Sequence, residues 1–250
     1  MSNKNFVVTD ENVKDYVMRI ATFIKKNVDT AGMDGVFLGM SSGIDCSVVS
    51  RLCQEAGVKI TLVLLPDGQD MERSKSKADA LELINQFDFD YKIIDIENIC
   101  NSFENSIDEP LSKLSKMNIR PRTRMTILYA LAQSHNCLVM GTGNLAERLL
   151  GYFTKWGDGA NDLNPLGMLT KGEVRTLARY LKVPDCIINK PPSAGLFEGQ
   201  TDEGELGFTY DDIDRYILKG TTNDNELDAR LAKRILASAH KLNPVSIFEG

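Results

Sequence analysis

The stretch Val36-Phe37-Leu38-Gly39-Met40-Ser41-Ser42-Gly43-Ile44-Asp45-Cys46-Ser47 constrains this chain more than any other. A short apolar run turns through small residues and enters a segment with Ile44, Val48, Val49 and Leu52 at helical spacing. That order predicts a buried strand, a tight loop, and a helix starting near Ser41 to Gly43. Such a loop brings free backbone N–H groups and the positive end of a helix dipole to one point, which suits a phosphate. Asp45, just inside the helix, adds a carboxylate of the kind that holds a Mg²⁺ travelling with phosphates. The plainer reading of the same residues is an ordinary βα turn.

The rest of the chain repeats the theme. Residues 10–28 carry Val13, Val17, Ile20, Ala21, Ile24 and Val28 on one helical face, with Asp10 placed as N-cap. Strands are predicted at Lys59 to Leu65, Tyr91 to Ile94 and Cys137 to Gly141, with a helix from Ser74 to Phe87 between the first two. Residues 97–118 read as two short helices around Pro110, and a stronger helix is expected from Arg120 to Ser134. Apolar strands separated by helix-sized gaps predict an α/β fold in one domain spanning residues 1–250. Its core is a Rossmann-like open parallel sheet of about five strands with helices on both faces. Ligands of such sheets bind at strand ends, which makes Gly141-Thr142-Gly143-Asn144 a second site candidate. Beyond Leu150 the chain is Gly-, Asp- and aromatic-rich to Asp162, a composition more typical of binding surface than of a connector. Further helices are expected at 171–181, 210–218 and 225–240, and the Gly-rich stretch 189–209 is expected to be a lid.

Composition excludes several classes. Lys+Arg 29 against Asp+Glu 35 leaves a net charge of −6, which argues against coating nucleic acid. No apolar run approaches the roughly 20 residues of a membrane span, and the N-terminus lacks a signal-peptide core. The 5 cysteines are scattered without a C-x-x-C pair, as expected of free thiols in a reducing cytoplasm. Cys46 alone sits where a helix N-terminus would lower a thiol pKa.

Ser41-Ser42-Gly43-Ile44-Asp45-Cys46 resembles the S-G-G-x-D-S signature of the ATP pyrophosphatases, with Ser for the first Gly and Cys for the last Ser. Downstream motifs narrow the resemblance to the ammonia-dependent NAD synthetases. They are Gly151-Tyr152-Phe153-Thr154-Lys155-Trp156-Gly157-Asp158-Gly159 with Asp162, Pro165-Leu166, Leu169-Thr170-Lys171, Lys190-Pro191-Pro192-Ser193-Ala194-Gly195-Leu196, Gly199-Gln200-Thr201-Asp202-Glu203 and Glu205-Leu206-Gly207. The resemblance implies amidation of nicotinic acid adenine dinucleotide (deamido-NAD) with ammonia. The nicotinate carboxylate attacks the α-phosphate of the co-substrate ATP and releases pyrophosphate; ammonia then displaces AMP from the acyl-adenylate.

The resemblance assigns residues to roles. Gly39, Met40, Ser41, Ser42, Gly43, Ile44, Asp45 and Cys46 would hold the ATP phosphates, with Thr142, Lys171 and Ser193 also on ATP. Asp45 and Glu147 would ligate Mg²⁺, and Asp45 with Lys171 would form the catalytic pair. Arg122, Lys155, Asp162, His240 and Lys241 would contact deamido-NAD, with Arg124 as the alternative to Arg122. A homodimer sharing the dinucleotide site is implied, without an amidase domain, since only about 35 residues precede the first strand. Asp158, Asp162 and Glu203 are carboxylates near the matched loops that are candidates to deprotonate ammonium. Taken singly these residues have plainer readings: Glu147 as a solvated charge, Asp162 as a turn cap, Ser193 as a loop hydroxyl, His240 and His135 as exposed helix-end residues, Arg122 and Arg124 on a wet helix face, and Tyr152, Phe153 and Trp156 as core.

The two departures in the loop carry consequences. Ser42 adds a Cβ where the signature has glycine, tolerable only at negative φ. Cys46 replaces a strong hydroxyl donor with a weak thiol, a loss expected to weaken ATP binding about tenfold. Two rival classes are an ATP pyrophosphatase acting on tRNA or a base, which calls for an RNA-binding appendage or a basic face that the acidic balance argues against, and a nucleotide binder without turnover, against which Asp45, Glu147, Lys155 and Lys171 speak.

Overall fold

The computed structural model describes residues 4–68, 71–192 and 201–248, with 71–74 by backbone alone. In chain order its elements are α1 (Val13–Thr30), β1 (Gly35–Gly39), α2 (Ile44–Glu55), β2 (Ile60–Leu64), α3 (Met71–Phe87), β3 (Asp90–Ile93), α4 (Glu97–Asn105), α5 (Lys113–Ser134) and β4 (Cys137–Met140). There follow α6 (Leu145–Leu150), α7 (Lys171–Tyr180), α8 (Asp185–Ile188), α9 (Asp202–Leu206), α10 (Tyr210–Lys219) and α11 (Asn225–Ser238), which ends in a 3₁₀ turn at Ala239–Lys241. Among the described residues, no helix is long and apolar enough to cross a membrane.

The four strands are parallel in the order β3-β2-β1-β4. The strand period of two divides their side chains between two layers. Val36, Leu38, Leu62 and Leu64 join the core beneath α1, α2 and α7. Phe37, Val63, Leu65 and Val139 face the opposite layer with Ala132 of α5 and Cys100 of α4. A third cluster joins α6, α10 and α11 through Leu150, Tyr210, Ile213 and Leu231.

The sheet has four strands rather than about five. The fifth position is reduced to one parallel bridge, Met140 to Leu163, and Pro165, without an N–H, stands two residues on. β3 is an edge strand whose four residues are all exposed, so it is not covered as the other strands are. The helix expected at Arg120 begins at Lys113, where the Ser112 hydroxyl accepts from Ser115 N at 3.1 Å. Pro121 lies inside that helix and is buried. Asn12, not Asp10, precedes α1; its side chain accepts from Thr9 N at 2.8 Å and donates to Val7 O at 3.0 Å, closing the entry turn. Within the stretch expected to be a lid, Thr201 caps α9 and Gly207 ends it at φ 71°. Residues 193–200, including Ser193, Gly195 and Gly199, lie outside the described residues.

In this order the chain leaves β1 toward β2 on one side and reaches β4 on the other. The carboxyl ends of β1 and β4 therefore form a topological switch point, where open α/β sheets bind ligands. The loops 40–43 and 141–144 both open there.

Candidate active site

β1 delivers Gly39 and Met40 to the loop, and α2 starts at Ile44 with Gly43 as its N-cap. Gly43 has no side chain to cap this end, so the positive end of the helix dipole is turned to the loop. Met40 and Ile44 are buried and anchor the loop from below. Ser41 Oγ accepts from Gly43 N at 3.3 Å. Ser42 is fully buried at φ 60°, the left-handed region, so the negative φ expected for a serine there is not found.

Cys46 also departs from expectation. Burial pushes its thiol pKa up and outweighs the hydrogen bonds with Ser41 and Gly43. Its Sγ donates to Gly43 O at 3.1 Å, a carbonyl that also receives Ser47 Oγ at 2.8 Å and Ser47 N at 3.2 Å. Three donors on one acceptor leave the weakest easily released. A hydroxyl at position 46 is then free to turn to a phosphate, and Cys46→Ser is expected to lower the KM for ATP about tenfold. Initial rates against ATP check this, and an unchanged KM refutes it.

Asp45, one residue into α2, meets two further helix starts. Its Oδ2 accepts from Lys171 Nζ at 2.5 Å and its Oδ1 from Asn144 Nδ2 at 3.0 Å. Lys171 is the first residue of α7, fixed by a capping box between Thr170 and Glu173. Glu147 stands at the third position of α6, in a capping box with Asn144. Glu147 Oε1 lies 3.5 Å from Lys171 Nζ and 3.5 Å from the Tyr210 hydroxyl, while Oε2 accepts from Asn144 N at 3.1 Å. Tyr210 also donates to Asp202 Oδ2 at 2.9 Å. Leu145 N bonded to Leu169 O at 2.8 Å ties the α6 and α7 starts together.

The electrostatics follow from one buried cation among three carboxylates. Burial alone would depress Lys171, only 2% exposed, but Asp45 and then Glu147 overcome it and raise its pKa. It is a fixed positive charge, not a base. Burial, then the charge of Asp45, raises Glu147 to about 8. Burial raises Asp202 as well, and burial with the adjoining carboxylates drives the Tyr210 phenol far up, so it acts only as a donor.

A second group gathers on the Gly151–Gly159 loop. Lys241 Nζ donates to Gly151 O at 2.6 Å and Phe153 O at 2.7 Å, Lys155 Nζ to His240 O at 2.7 Å, and Arg122 Nη2 to Lys155 O at 3.4 Å. Arg124 donates to Leu65 O at 3.1 Å, while Arg122 is bonded to this loop. The carboxylate of Asp162 is engaged elsewhere, accepting from Tyr129 at 3.1 Å and Val139 N at 2.8 Å. Asp158 accepts from Thr154 N at 2.8 Å and Glu203 from Tyr210 N at 2.8 Å. Trp156 is 56% exposed, against the plain reading of it as core. Thr142 lies half-buried in the turn after β4.

Gly151 caps α6 at φ 62°, and a Cβ there would stand 2.3 Å from Ser238 Cβ. Gly151→Ala is therefore expected to destabilise the fold by about 2–4 kcal/mol, seen in a thermal melt as a fall of roughly 5–15 °C. A shift under about 2 °C refutes it.

The sequence points to Asn144 as part of the second site candidate, Gly141 to Asn144, but not to Asp202, Tyr210 or Lys190 as site residues. Asn144-x-x-Glu147 does carry a capping-box pattern. The others declare themselves only once α9, α10 and the 189–192 segment pack against the loop.

A family model described as NAD synthase matches residues 16–244. The chain is 42% identical to the NH(3)-dependent NAD(+) synthetase of Carboxydothermus hydrogenoformans, over 84% of this chain and 87% of that one. The structure of NMN synthetase from Francisella tularensis superposes with a TM-score of 0.90 at 35% identity, covering 95% of this chain and 99% of that one. That of the NH3-dependent NAD synthetase from Campylobacter jejuni gives 0.79 at 32% identity, with the same 95% and 99% coverage.

Proposed function

The chain belongs to the NAD synthase family, and from that premise we propose that it amidates the carboxyl group of deamido-NAD with ammonia, converting ATP to AMP and pyrophosphate. The observation that carries this reading is Lys171, held as a buried cation between Asp45 and Glu147 beside the uncapped start of α2. Two polyanions have to meet there, and positioning with charge neutralisation supplies most of such catalysis.

A nicotinate oxygen attacks the α-phosphorus of ATP; the P–O bond to pyrophosphate breaks and an acyl-adenylate forms. The N–H groups at the loop and the Lys171 ammonium stabilise charge gathering on the departing pyrophosphate. Ammonia then adds to the acyl carbon and AMP leaves. The Gly151–Gly159 loop, with Arg122, Lys155, His240 and Lys241, receives the pyridine nucleotide.

Asp45 and Glu147 fit a Mg²⁺. Both are hard oxygen donors, and the Lys171 ammonium already stands between them as a cation in the same field. Among the described residues no group of three or more His, Cys, Asp or Glu is arranged to hold a metal. Mg²⁺ takes one or two carboxylates and completes its shell from phosphate and water. When bound, the ion supplies neutralisation of triphosphate charge.

A cytoplasmic homodimer is part of the proposal. All 5 cysteines are free. The edge strand β3 exposes Tyr91 and Ile93, and α4 exposes Ile99 and Phe103, an apolar edge suited to a second copy.

The higher structural similarity to a protein named NMN synthetase favours a second reading, with nicotinic acid mononucleotide as acceptor. Purified protein is expected to form NAD, AMP and pyrophosphate from deamido-NAD, ATP and ammonium, with kcat/KM above that for the mononucleotide. The opposite preference establishes the second reading. Equal rates with ammonia-free glutamine, or no pyrophosphate at all, refute both.

A further inference from the structure

Lys190 reaches the phosphate loop from 148 residues away in the chain. Its Nζ donates to Ser42 Oγ at 3.1 Å, Ser76 Oγ at 3.0 Å and Asp79 Oδ2 at 3.0 Å. The bonds join three separate elements: the loop between β1 and α2, the helix α3, and the segment after α8. Lys190 is itself held firmly. Ile187, three residues before, is buried in the main core, and Pro191-Pro192 follow with φ set by their rings. Pro192 O then accepts from Asp202 N at 3.0 Å.

Ser42 needs such an anchor. It is a non-glycine residue at φ 60°, in the position where the S-G-G-x-D-S signature has glycine. The left-handed region disfavours a residue with a Cβ, and such conformations persist only where surroundings hold them. The buried Ser42 hydroxyl has a charged donor as its partner, and such bonds are among the stronger ones.

We propose that Lys190 is a positioning residue for ATP, holding Ser42 in the left-handed conformation that aims the loop's N–H groups at the triphosphate. This rests on the ATP-using reading above. A glycine at position 42 adopts the conformation unaided, so the need for Lys190 is tied to the serine this chain carries. A lysine that touched phosphate directly would matter equally with either residue at position 42.

The test is a double-mutant cycle read as the dissociation constant for Mg²⁺–ATP by calorimetry, with full-length protein at a temperature where melts show every variant folded. Lys190→Met is expected to weaken ATP binding about tenfold in the Ser42 background and threefold or less in Ser42→Gly. Any general loss from leaving Asp79 unpaired appears in both backgrounds and cancels. Ser42→Ala, which keeps the Cβ without the hydroxyl, is expected to bind ATP more weakly than Ser42→Gly. Equal effects of Lys190→Met in the two backgrounds, or Ser42→Ala binding as well as Ser42→Gly, overturn the proposal while leaving the ligase reading intact. Wild-type protein that fails to bind ATP overturns both.

Discussion

Lys171→Met is expected to lower kcat/KM about 10²–10³-fold, the scale on which one preorganised electrostatic contact at a reacting centre is lost. The side chain is 2% exposed and its ammonium bridges Asp45 at 2.5 Å and Glu147 at 3.5 Å. Methionine keeps the length and apolar stem and removes only the charge. Asp45 is then left beside Glu147 in a poorly solvated place without its cation, and breaking a buried pair in this way destabilises by about 3–5 kcal/mol. Stability and activity must be separated, so rates are compared at a temperature where melts show the variant folded. The missing cation also makes a sharper forecast. Mg²⁺ is expected to raise the thermal midpoint of Lys171→Met by more than that of the parent, because the ion supplies the missing positive charge. Activity within tenfold of the parent, or a midpoint indifferent to Mg²⁺, removes Lys171 from the role given to it.

Much of this architecture was legible in the chain because strands buried on both faces announce themselves. Val36 to Leu38 is an unbroken apolar run and Ile60 to Leu64 is interrupted only by Thr61, and both are inner strands. The strand expected at Tyr91 to Ile94 is β3, yet Tyr91 and Ile93 are exposed at the sheet edge; apolar content alone does not say whether a face is covered. A proline reads in sequence as a helix boundary, whereas the helix through Pro121 is capped by Ser112 about two turns before it. Phosphate-loop residues could be placed because strand, turn and helix are local. Tyr210 and Asp202 could not, since their value lies in meeting Glu147 from distant elements. Ser42 shows the limit most plainly. Its side chain argued for a negative φ, and the bond from Lys190, 148 residues away in the chain, accompanies the positive one.

Mg²⁺ affinity is expected to rise about tenfold per pH unit up to pH 8, and Glu147→Gln is expected to abolish that slope and lower kcat/KM at least about 10²-fold. Burial, and then the charge of Asp45, raises the Glu147 carboxyl to about 8 from its ordinary 4.5. Between those values the folded metal-free protein binds a proton at this site that the unfolded chain does not. Glu147 therefore contributes stability that is fully present below about pH 4.5 and is lost as the pH rises through 8. Burial moves Asp202 and Asp214 in the same direction, adding to the trend. Lys171 is raised further from neutrality and stays charged across the window, so it contributes no slope. A metal bound by Glu147 has to expel the proton, and competition between the two cations gives the affinity its pH dependence. Calorimetry with Mg²⁺–ATP at pH 6, 7 and 8, in buffers of different ionisation heat, reads both the affinity and the proton released. Thermal melts without metal should show the parent losing more stability than Glu147→Gln as the pH is raised from 6 to 8. The same slope and proton release in both proteins would move the metal away from Glu147 and leave that carboxylate as a partner of Lys171 and Asn144 alone.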